Sequence, residues 1–542
     1  MFLFASFIVA LAVTMALIPA LARWASTFGL LDQPNERKIH LRKIPRIGGI
    51  AMIVGAMLPI ILWVPFDQEV VAVFIGITVL LFFGVWDDRG DLDYRLKFLG
   101  QFLAAAVVVL YGGIAVKVLP FLGLSPIAPV VSIPLTIFVL VGVTNAINLA
   151  DGLDGLAGGM VLLSLCGIAL LAYLAGGSEV LIVAVAVLGA VLGFLRFNAY
   201  PARIFMGDSG SQFLGFTVAV LAIILTQQTN PALNPALPLL LLGVPIVDTL
   251  FVMSKRIYYG QSPFSADNNH IHHQLLGLGL DHYEAVALIY IIQTLFVVAA
   301  LLFRYESDLV VVSLYVGACL ALALALVVAG RSGWRVHHPG SRSGLAGLVA
   351  ALDERQVLKN VSLGILWAGI STVLFVIPVI ARTVDRDMGI GAGILFVLLL
   401  ARLIFGYKLW FVFLRLLIYV CIAFVVYLGQ HVAIEGMPTL VGLAQYLFFG
   451  VMLMALVLAI RFTASSSFNM TPTDLLVAIV VVALAFFAHG RAGDAALTTL
   501  IMELVILFYG SEVLLRNMQN RWNTLTLSAL WAFGVIAWRG MV

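Results

Sequence analysis

The sequence predicts an all-α, polytopic membrane protein, and three observations carry that expectation. Of 542 residues, 63% are hydrophobic and 11% are charged, against about 25% charged in a soluble domain. A mean hydropathy of +1.11 excludes an ordinary water-soluble fold. Apolar runs of roughly twenty residues recur along the whole chain, long enough to cross a hydrocarbon core of about 30 Å. In lipid every backbone polar group must be bonded internally, which leaves helices or closed barrels. The runs, such as 102–111 and 476–488, are continuous rather than alternating, and that selects helices.

About eleven spans are expected in the first part, near 2–22, 46–64, 70–86, 96–112, 128–147, 156–175, 180–196, 210–226, 237–254, 284–303 and 309–329. The first lacks a basic start and a clear small-residue cleavage site, so it is read as a retained span. Basic loops alternate with loops nearly free of Lys and Arg. The basic set holds Arg23, Arg37, Lys38, Arg42, Lys43 and Arg46, then Arg89, Arg95 and Lys97, then Arg196 and Arg203, then Lys255 and Arg256. The positive-inside rule places that set in the cytoplasm. The net charge of +3 thus serves orientation, not nucleic-acid binding. Cys166, Cys319 and Cys421 each lie in an apolar run and read as small buried hydrophobes.

The stretch RSGWRVHHPGSRSG (331–344) breaks the pattern. Its arginines, glycines and Pro339 suggest a cytoplasmic linker over 331–357, a boundary between a membrane domain at 1–330 and a second at 358–542. About seven more spans follow, near 358–381, 389–405, 409–429, 440–460, 475–488, 495–515 and 524–538. Glu503 falls near the middle of one, which makes it a functional candidate.

Acids, amides and histidines gather at span ends on the expected cytoplasmic side. DQPNERKIH (32–40), with PRIGG (45–49), reads by itself as a basic topogenic loop. In GVWDDRGDLDYRLKFLGQ (84–101), Asp87 and Asp88 end a span directly; adjacent carboxylates repel, so a cation or basic partner such as Lys97 is expected beside them. In NAINLADGLDGLAGG (145–159), Asn145, Asn148, Asp151 and Asp154 recur every third residue. They would share a helix face, but the glycines argue for a broken helix or tight turn. Either way, these oxygens suit a hard cation such as magnesium. In FLRFNAYPARIFMGDSGS (194–211), Asp208 is placed to cap the helix that follows. Ser209, Gly210 and Ser211 offer backbone N–H groups to a phosphate. In PFSADNNHIHHQLLGLG (263–279), His270, His272 and His273 form the densest histidine cluster of the chain. With no cysteine nearby, phosphate contact or proton handling fits them better than zinc. Carboxylates for a metal and basic groups for phosphates are the mixture that phosphoryl chemistry needs.

These motifs resemble the polyprenyl-phosphate N-acetylhexosamine-1-phosphate transferases of glycosyltransferase family 4. That superfamily includes the bacterial enzyme making lipid-linked N-acetylglucosamine and the peptidoglycan phospho-MurNAc-pentapeptide translocase. The resemblance covers residues 1–330 and rests on Asp87–Asp88 with Lys97, NAINLADGLDGLAGG, GDSGS at Asp208 and HIHH at 270–273, all in order. It implies that Asp208 and Asn148 hold Mg2+, which Mn2+ can replace, and that Asp87 and Asp88 stand beside the lipid phosphate as catalytic acids with Asp208. It also implies that Asp151 and Asp154 line the nucleotide site, that Asn145 is among the substrate-binding residues, that Phe205 stacks on uracil, and that the three histidines meet the nucleotide sugar. The implied substrates are a UDP-N-acetylhexosamine, with UDP-N-acetylglucosamine favoured, and undecaprenyl phosphate; the products are a lipid diphosphate sugar and UMP. The implied setting is a bacterial inner membrane, in contact with its lipids, as a homodimer or beside downstream glycosyltransferases. One departure is that Asn268 and Asn269 stand where many relatives carry a basic residue. The rival reading is a transporter or flippase of lipid-linked sugars. Such a protein should place its acids near mid-membrane in broken helices, whereas here they sit at span ends.

Overall fold

The computed structural model describes residues 2–32, 43–90, 92–123, 125–260, 262, 270–332, 357–381, 384–405, 411–429, 438–462, 503, 506–511, 513–515 and 522–541. Most of the first loop (33–40), Asn268 and Asn269, most of the expected linker (333–356) and the expected span 475–488 lie outside them. Two compact units emerge among the described residues, one up to Ser332 and one from Val357 onward.

The first unit is a helical bundle in the expected order. Its helices are α1 (Phe2–Trp24), α2 (Gly48–Trp63), α3 (Gln68–Gly90), α4 (Tyr94–Ala106), α5 (Pro129–Ala150), α6 (Leu156–Ala175), α7 (Ser178–Asn198), α8 (Gly207–Ile224), α9 (Leu237–Leu241), α10 (Gly243–Tyr258), α11 (Ile271–Gly277), α12 (His282–Leu302) and α13 (Asp308–Arg331). Single π-helical turns extend α4 through Tyr111 and α8 through Thr229. Among the described residues ten helices are long and apolar enough to cross a membrane, nine of them in this unit. The all-α, polytopic expectation holds. The only regular strands described, β1 (Leu31–Asp32) and β2 (Ile44–Pro45), form a two-residue antiparallel pair that the sequence reading did not anticipate.

One expected span is not continuous. The run 237–254 breaks at Leu242, whose ψ of 29° is not helical, giving α9 and α10. Pro245 has no N–H to return to the preceding turn. Gln293 of α12, fully buried, compensates: its Nε2 donates to Leu241 O at 2.8 Å and its Oε1 accepts from Val244 N at 3.0 Å. A break at membrane depth is tolerated when neighbouring protein satisfies the orphaned backbone in this way.

Helix α8 lies at the centre. Over its most apolar eighteen residues 94% are buried, against 17% for α13. Small residues permit this, since they let helix backbones approach closely in lipid. A Cβ on Gly215 would lie 2.8 Å from Thr144 Cα of α5, and one on Gly84 of α3 would lie 2.5 Å from Ser209 Cα. The start of α8 is thereby wedged between α3 and α5, which positions the site.

The second unit contains α14 (Val357–Ile380), α15 (Arg386–Phe405), α16 (Phe411–Gly429), α17 (Pro438–Phe462) and α18 (Trp522–Met541). Leu366, Ile418, Ile422, Phe533 and Ile536 build its core, with Cys421 buried among them. Cys421 thus behaves as the small hydrophobe expected of it, and all three cysteines are unbridged. Glu503 is buried and accepts a hydrogen bond from Gln445 of α17.

Candidate active site

The site forms where α3, α5 and α8 meet. Asp87 and Asp88 occupy the last turn of α3 and are 2% and 5% exposed. Asp88 points across to α8. Its Oδ1 accepts the backbone N–H of Asp208 at 2.8 Å; its Oδ2 accepts the N–H of Ser209 at 3.2 Å and the Ser209 hydroxyl at 2.9 Å. The first N–H groups of a helix have no partner within it, and a carboxylate suits their partial positive charge. Asp88 therefore caps α8 from another helix. Gly207 permits the approach: its φ is +71° and a Cβ there would lie 2.5 Å from the Asp88 carboxylate. Two expectations are corrected here. Asp208 lies in the first turn of α8 and is not its cap, and of the N–H groups expected to meet a phosphate, that of Ser209 is already taken by Asp88.

The capped turn projects the Asp208 side chain into the centre. Its Oδ1 accepts from Asn148 Nδ2 at 2.6 Å, and its Oδ2 stands 3.3 Å from Lys97 Nζ. Lys97, from the first turn of α4, also forms an ion pair with Asp87. Asp87 Oδ1 accepts the N–H of Leu92 at 2.7 Å. Asn148 Nδ2 lies 2.7 Å from Ser211 Oγ, one turn along α8 from Asp208. Asp87, Lys97, Asp208 and Asn148 thus form one connected chain across four helices. Asn145 does not join it. One turn earlier on α5, its half-buried amide is tied to Gln101 of α4 and to Val141 O.

The every-third-residue spacing of 145–154 does not become one helix face. Helix α5 stops at Ala150, and the chain turns at Gly155, φ +80°. Asp154 Oδ2 accepts the N–H of Ala202 at 2.8 Å. Asn198 joins the same two loops, accepting from Gly155 N at 2.9 Å and donating to Ile204 O at 2.9 Å. Phe205 follows, half-buried, held by its N–H to Pro45 O at 2.9 Å and by Gly48 N to its carbonyl at 3.0 Å. The PRIGG segment, read from sequence as topogenic, therefore frames the site. Burial first, and then the negative charges of Asp208, Asp154 and Asp88, push the Asp151 carboxyl up to about 8, with Arg46 pulling the other way. Arg46 pairs with Asp32 at this edge.

The three histidines have three environments. His270 is buried and its Nδ1–H donates to Asp248 Oδ2 of α10 at 2.9 Å. His272 is 2% exposed, and its Nε2 has no hydrogen-bond partner among the described residues. Its ring lies against Gly152, where any Cβ would overlap it. Burial, then the neighbouring His273, hold His272 down at about 4. His273 is half-exposed, with its ring 4.3 Å from that of His272.

Sequence reasoning missed Asp248, Gln101 and Asn198, and it named Ser211 only for its backbone N–H, not for the side-chain contact with Asn148. Asp248 carried a signal: an acid inside an apolar run is a functional candidate by default. Gln101 and Asn198 lie inside the polar segments 84–101 and 194–211, where the neighbouring acids drew the reading away from them.

Among the described residues no three His, Cys, Asp or Glu side chains converge as metal ligands. Magnesium does not require that, since it takes one or two carboxylates with waters and substrate phosphates. Asp208 and Asn148 supply a carboxylate and an amide in contact, and which amide atom faces the acid follows from what else is bound. The described acids around this point, Asp87, Asp88, Asp151 and Asp208, outnumber Lys97 and Arg46. The donor set therefore fits a hard dication.

Helical spans with an acid-rich, lysine-bridged centre at their ends define a multi-pass membrane protein. Comparison with known proteins narrows this. The profile of glycosyl transferase family 4 matches residues 70–226, which contain every residue of the Asp87–Lys97–Asp208–Asn148 chain. A probable undecaprenyl-phosphate N-acetylglucosaminyl 1-phosphate transferase of Bacillus subtilis (strain 168) is 35% identical over 302 residues, 55% of this chain and 84% of the relative. A decaprenyl-phosphate N-acetylglucosaminephosphotransferase of Mycolicibacterium smegmatis is 35% identical over 300 residues, covering 49% and 73%. An undecaprenyl-phosphate alpha-N-acetylglucosaminyl 1-phosphate transferase of Escherichia coli (strain K12) is 29% identical over 291 residues, covering 52% and 78%. The chain belongs to glycosyl transferase family 4, the polyprenyl-phosphate N-acetylhexosamine-1-phosphate transferases.

Proposed function

We propose that residues 1–330 transfer N-acetylglucosamine 1-phosphate from UDP-N-acetylglucosamine to undecaprenyl phosphate, releasing UMP. The observation that carries this reading is the position of Asp208, which faces Asn148 on one oxygen and the Asp87-paired Lys97 on the other. An oxygen of the lipid phosphate attacks the sugar-bearing phosphorus in line. The new P–O bond forms as the bond to UMP breaks. The second pKa of a phosphate monoester is about 6, so the acceptor is mostly a dianion at neutral pH and needs little proton abstraction. Asp87 accordingly acts as an organiser: it holds Lys97, and Lys97 receives the lipid phosphate. Asp208 and Asn148 hold Mg2+, or Mn2+ in its place. When bound, the metal offsets charge on the diphosphate and the leaving group. Asp88 fixes the turn that carries Asp208. Phe205 offers its ring to uracil, and Asp154 holds the loop presenting it. Asp151 and His273 face the donor.

The bacterial relatives favour a bacterial inner membrane, and the basic loops favour the cytoplasmic face for this site. A transporter needs an ion path, and Asp248, on the interrupted α9–α10 segment, is instead paired with His270. The linker at 331–357 and the membrane domain at 358–542 stand outside the chemistry in this reading, available for a homodimer or for downstream glycosyltransferases. The test is UMP release by the purified chain from UDP-N-acetylglucosamine, with undecaprenyl phosphate and magnesium, beside Asp208→Asn. Lipid-dependent release lost in the variant supports the reading. No release from folded protein with any UDP-N-acetylhexosamine overturns it.

A further inference from the structure

The Asp248 carboxylate makes two bonds to consecutive residues of another element. Its Oδ2 accepts from the His270 ring at 2.9 Å and its Oδ1 accepts the backbone N–H of Ile271 at 2.8 Å. Both Asp248 and His270 are buried, at 5% and 4% exposure. We propose that Asp248 is a positioning residue for the donor half of the site: by fixing the His270 ring and the start of α11 together, it sets His272 against Gly152 and leaves His273 at the open face.

Four features support this. Helix α11 has only seven residues, and isolated helices shorter than about 12–15 residues are marginal, so its place depends on such anchors. One carboxylate holding both a side chain and the next backbone N–H fixes the rotation of the helix about its axis. It also fixes the tautomer of His270, since Nδ1 must carry the proton it donates. Contact beyond α11 is tight: Gly152 has no room for a Cβ beside the His272 ring. A small shift of α11 therefore reaches the 151–155 turn, which bears Asp151 and Asp154. The void lined by Asp248, Ile271 and His272 is about 10 Å³, at most the room of one water. No substrate reaches Asp248 there, so its influence must pass through the histidines.

This inference rests on the transferase reading, and the experiment separates the two. Steady-state UMP release is measured for the full chain and for Asp248→Asn, varying UDP-N-acetylglucosamine and undecaprenyl phosphate in turn. The expected result is a fall of about tenfold or more in kcat/KM for the nucleotide sugar, with KM for the lipid phosphate unchanged. Combined with His270→Gln, Asp248→Asn should cause no further loss, and Asp248→Glu should recover part of the donor kcat/KM. Should the amide variant not accumulate in membranes, Asp248→Glu is carried through the same cycle, with the same donor-specific loss expected. Equal losses for donor and acceptor, kinetic constants at the wild-type level, or an effect additive with His270→Gln each overturn the inference. A packing role alone would lower the yield of folded protein and leave both Michaelis constants in place. If the wild-type chain itself releases no UMP, the transferase reading fails and not this one alone.

Discussion

Asp88 of α3 accepts the backbone N–H of Asp208 on α8 at 2.8 Å, across 120 residues of sequence. The acid of one helix thereby places the acid of another. The adjacent acids Asp87 and Asp88 consequently have different work: one organises Lys97, and the other holds the start of α8.

Replacing Asp88 should weaken the site without removing any group that meets substrate. Asp88→Asn keeps a shape that can accept one N–H but lacks the charge and one acceptor oxygen. Loss of a supporting partner around a metal typically costs about 10–100-fold. The expected outcome is a rate fall of that size with a higher magnesium concentration for half-maximal activity. An unchanged magnesium titration would count against the positioning role.

Gly207→Ala should destabilise the chain, because φ is +71° and the new Cβ would press on the Asp88 carboxylate. Strain of this kind costs about 1–3 kcal/mol. Thermal unfolding in detergent should show a lower Tm than wild type. Gly142→Ala is the control: no atom lies within 4 Å of a Cβ there, and its Tm should not fall.

Lys97→Met removes the cation between Asp87 and Asp208. Loss of one preorganised group facing developing phosphoryl charge costs about 10²–10³ in rate. The same loss leaves two acids facing each other without their shared partner. Adding Asp87→Asn should then cause less than an additive further fall, measured as kcat. Full additivity would mean that the two residues act separately.

His272 gives a stability signal on the acid side. Its folded-state value is held near 4 against 6.5 for an ordinary histidine. Between those values the unfolded chain binds the proton and the folded chain does not, so protonation favours unfolding. The contribution is complete above pH 6.5 and is lost as pH falls through 4. His272→Gln should flatten the fall in Tm between pH 7 and 4.5; an identical slope would refute the assignment.

Asp151 carries the opposite sign. Its carboxyl is pushed up to about 8 from 3.8, so the folded chain holds a proton that the unfolded chain has released. The stabilisation is full below 3.8 and lost as pH rises through 8. Without magnesium, Asp151→Asn should gain Tm relative to wild type between pH 5 and 8.5. A constant difference across that range would place the effect elsewhere.

Hydropathy alone determined the class of this protein and most of its helix order, because insertion in lipid depends on about twenty consecutive residues, a property of local sequence. Asp87, Asp88, Asn148 and Asp208 were legible for the same reason: polar groups at span ends stand out against apolar neighbours. The tertiary structure decided how those groups pair. Asp88 rather than Asp208 caps α8, Asn145 is tied to Gln101, Asp154 braces the loop before Phe205, and Asp248 holds His270. It also decided that the run 237–254 breaks, since Gln293 of a distant helix satisfies the interrupted backbone. Each of these choices is a hydrogen bond between residues far apart in the chain. The sequence shows that such groups need partners when buried, but which partner comes within 3 Å is set by how the helices pack.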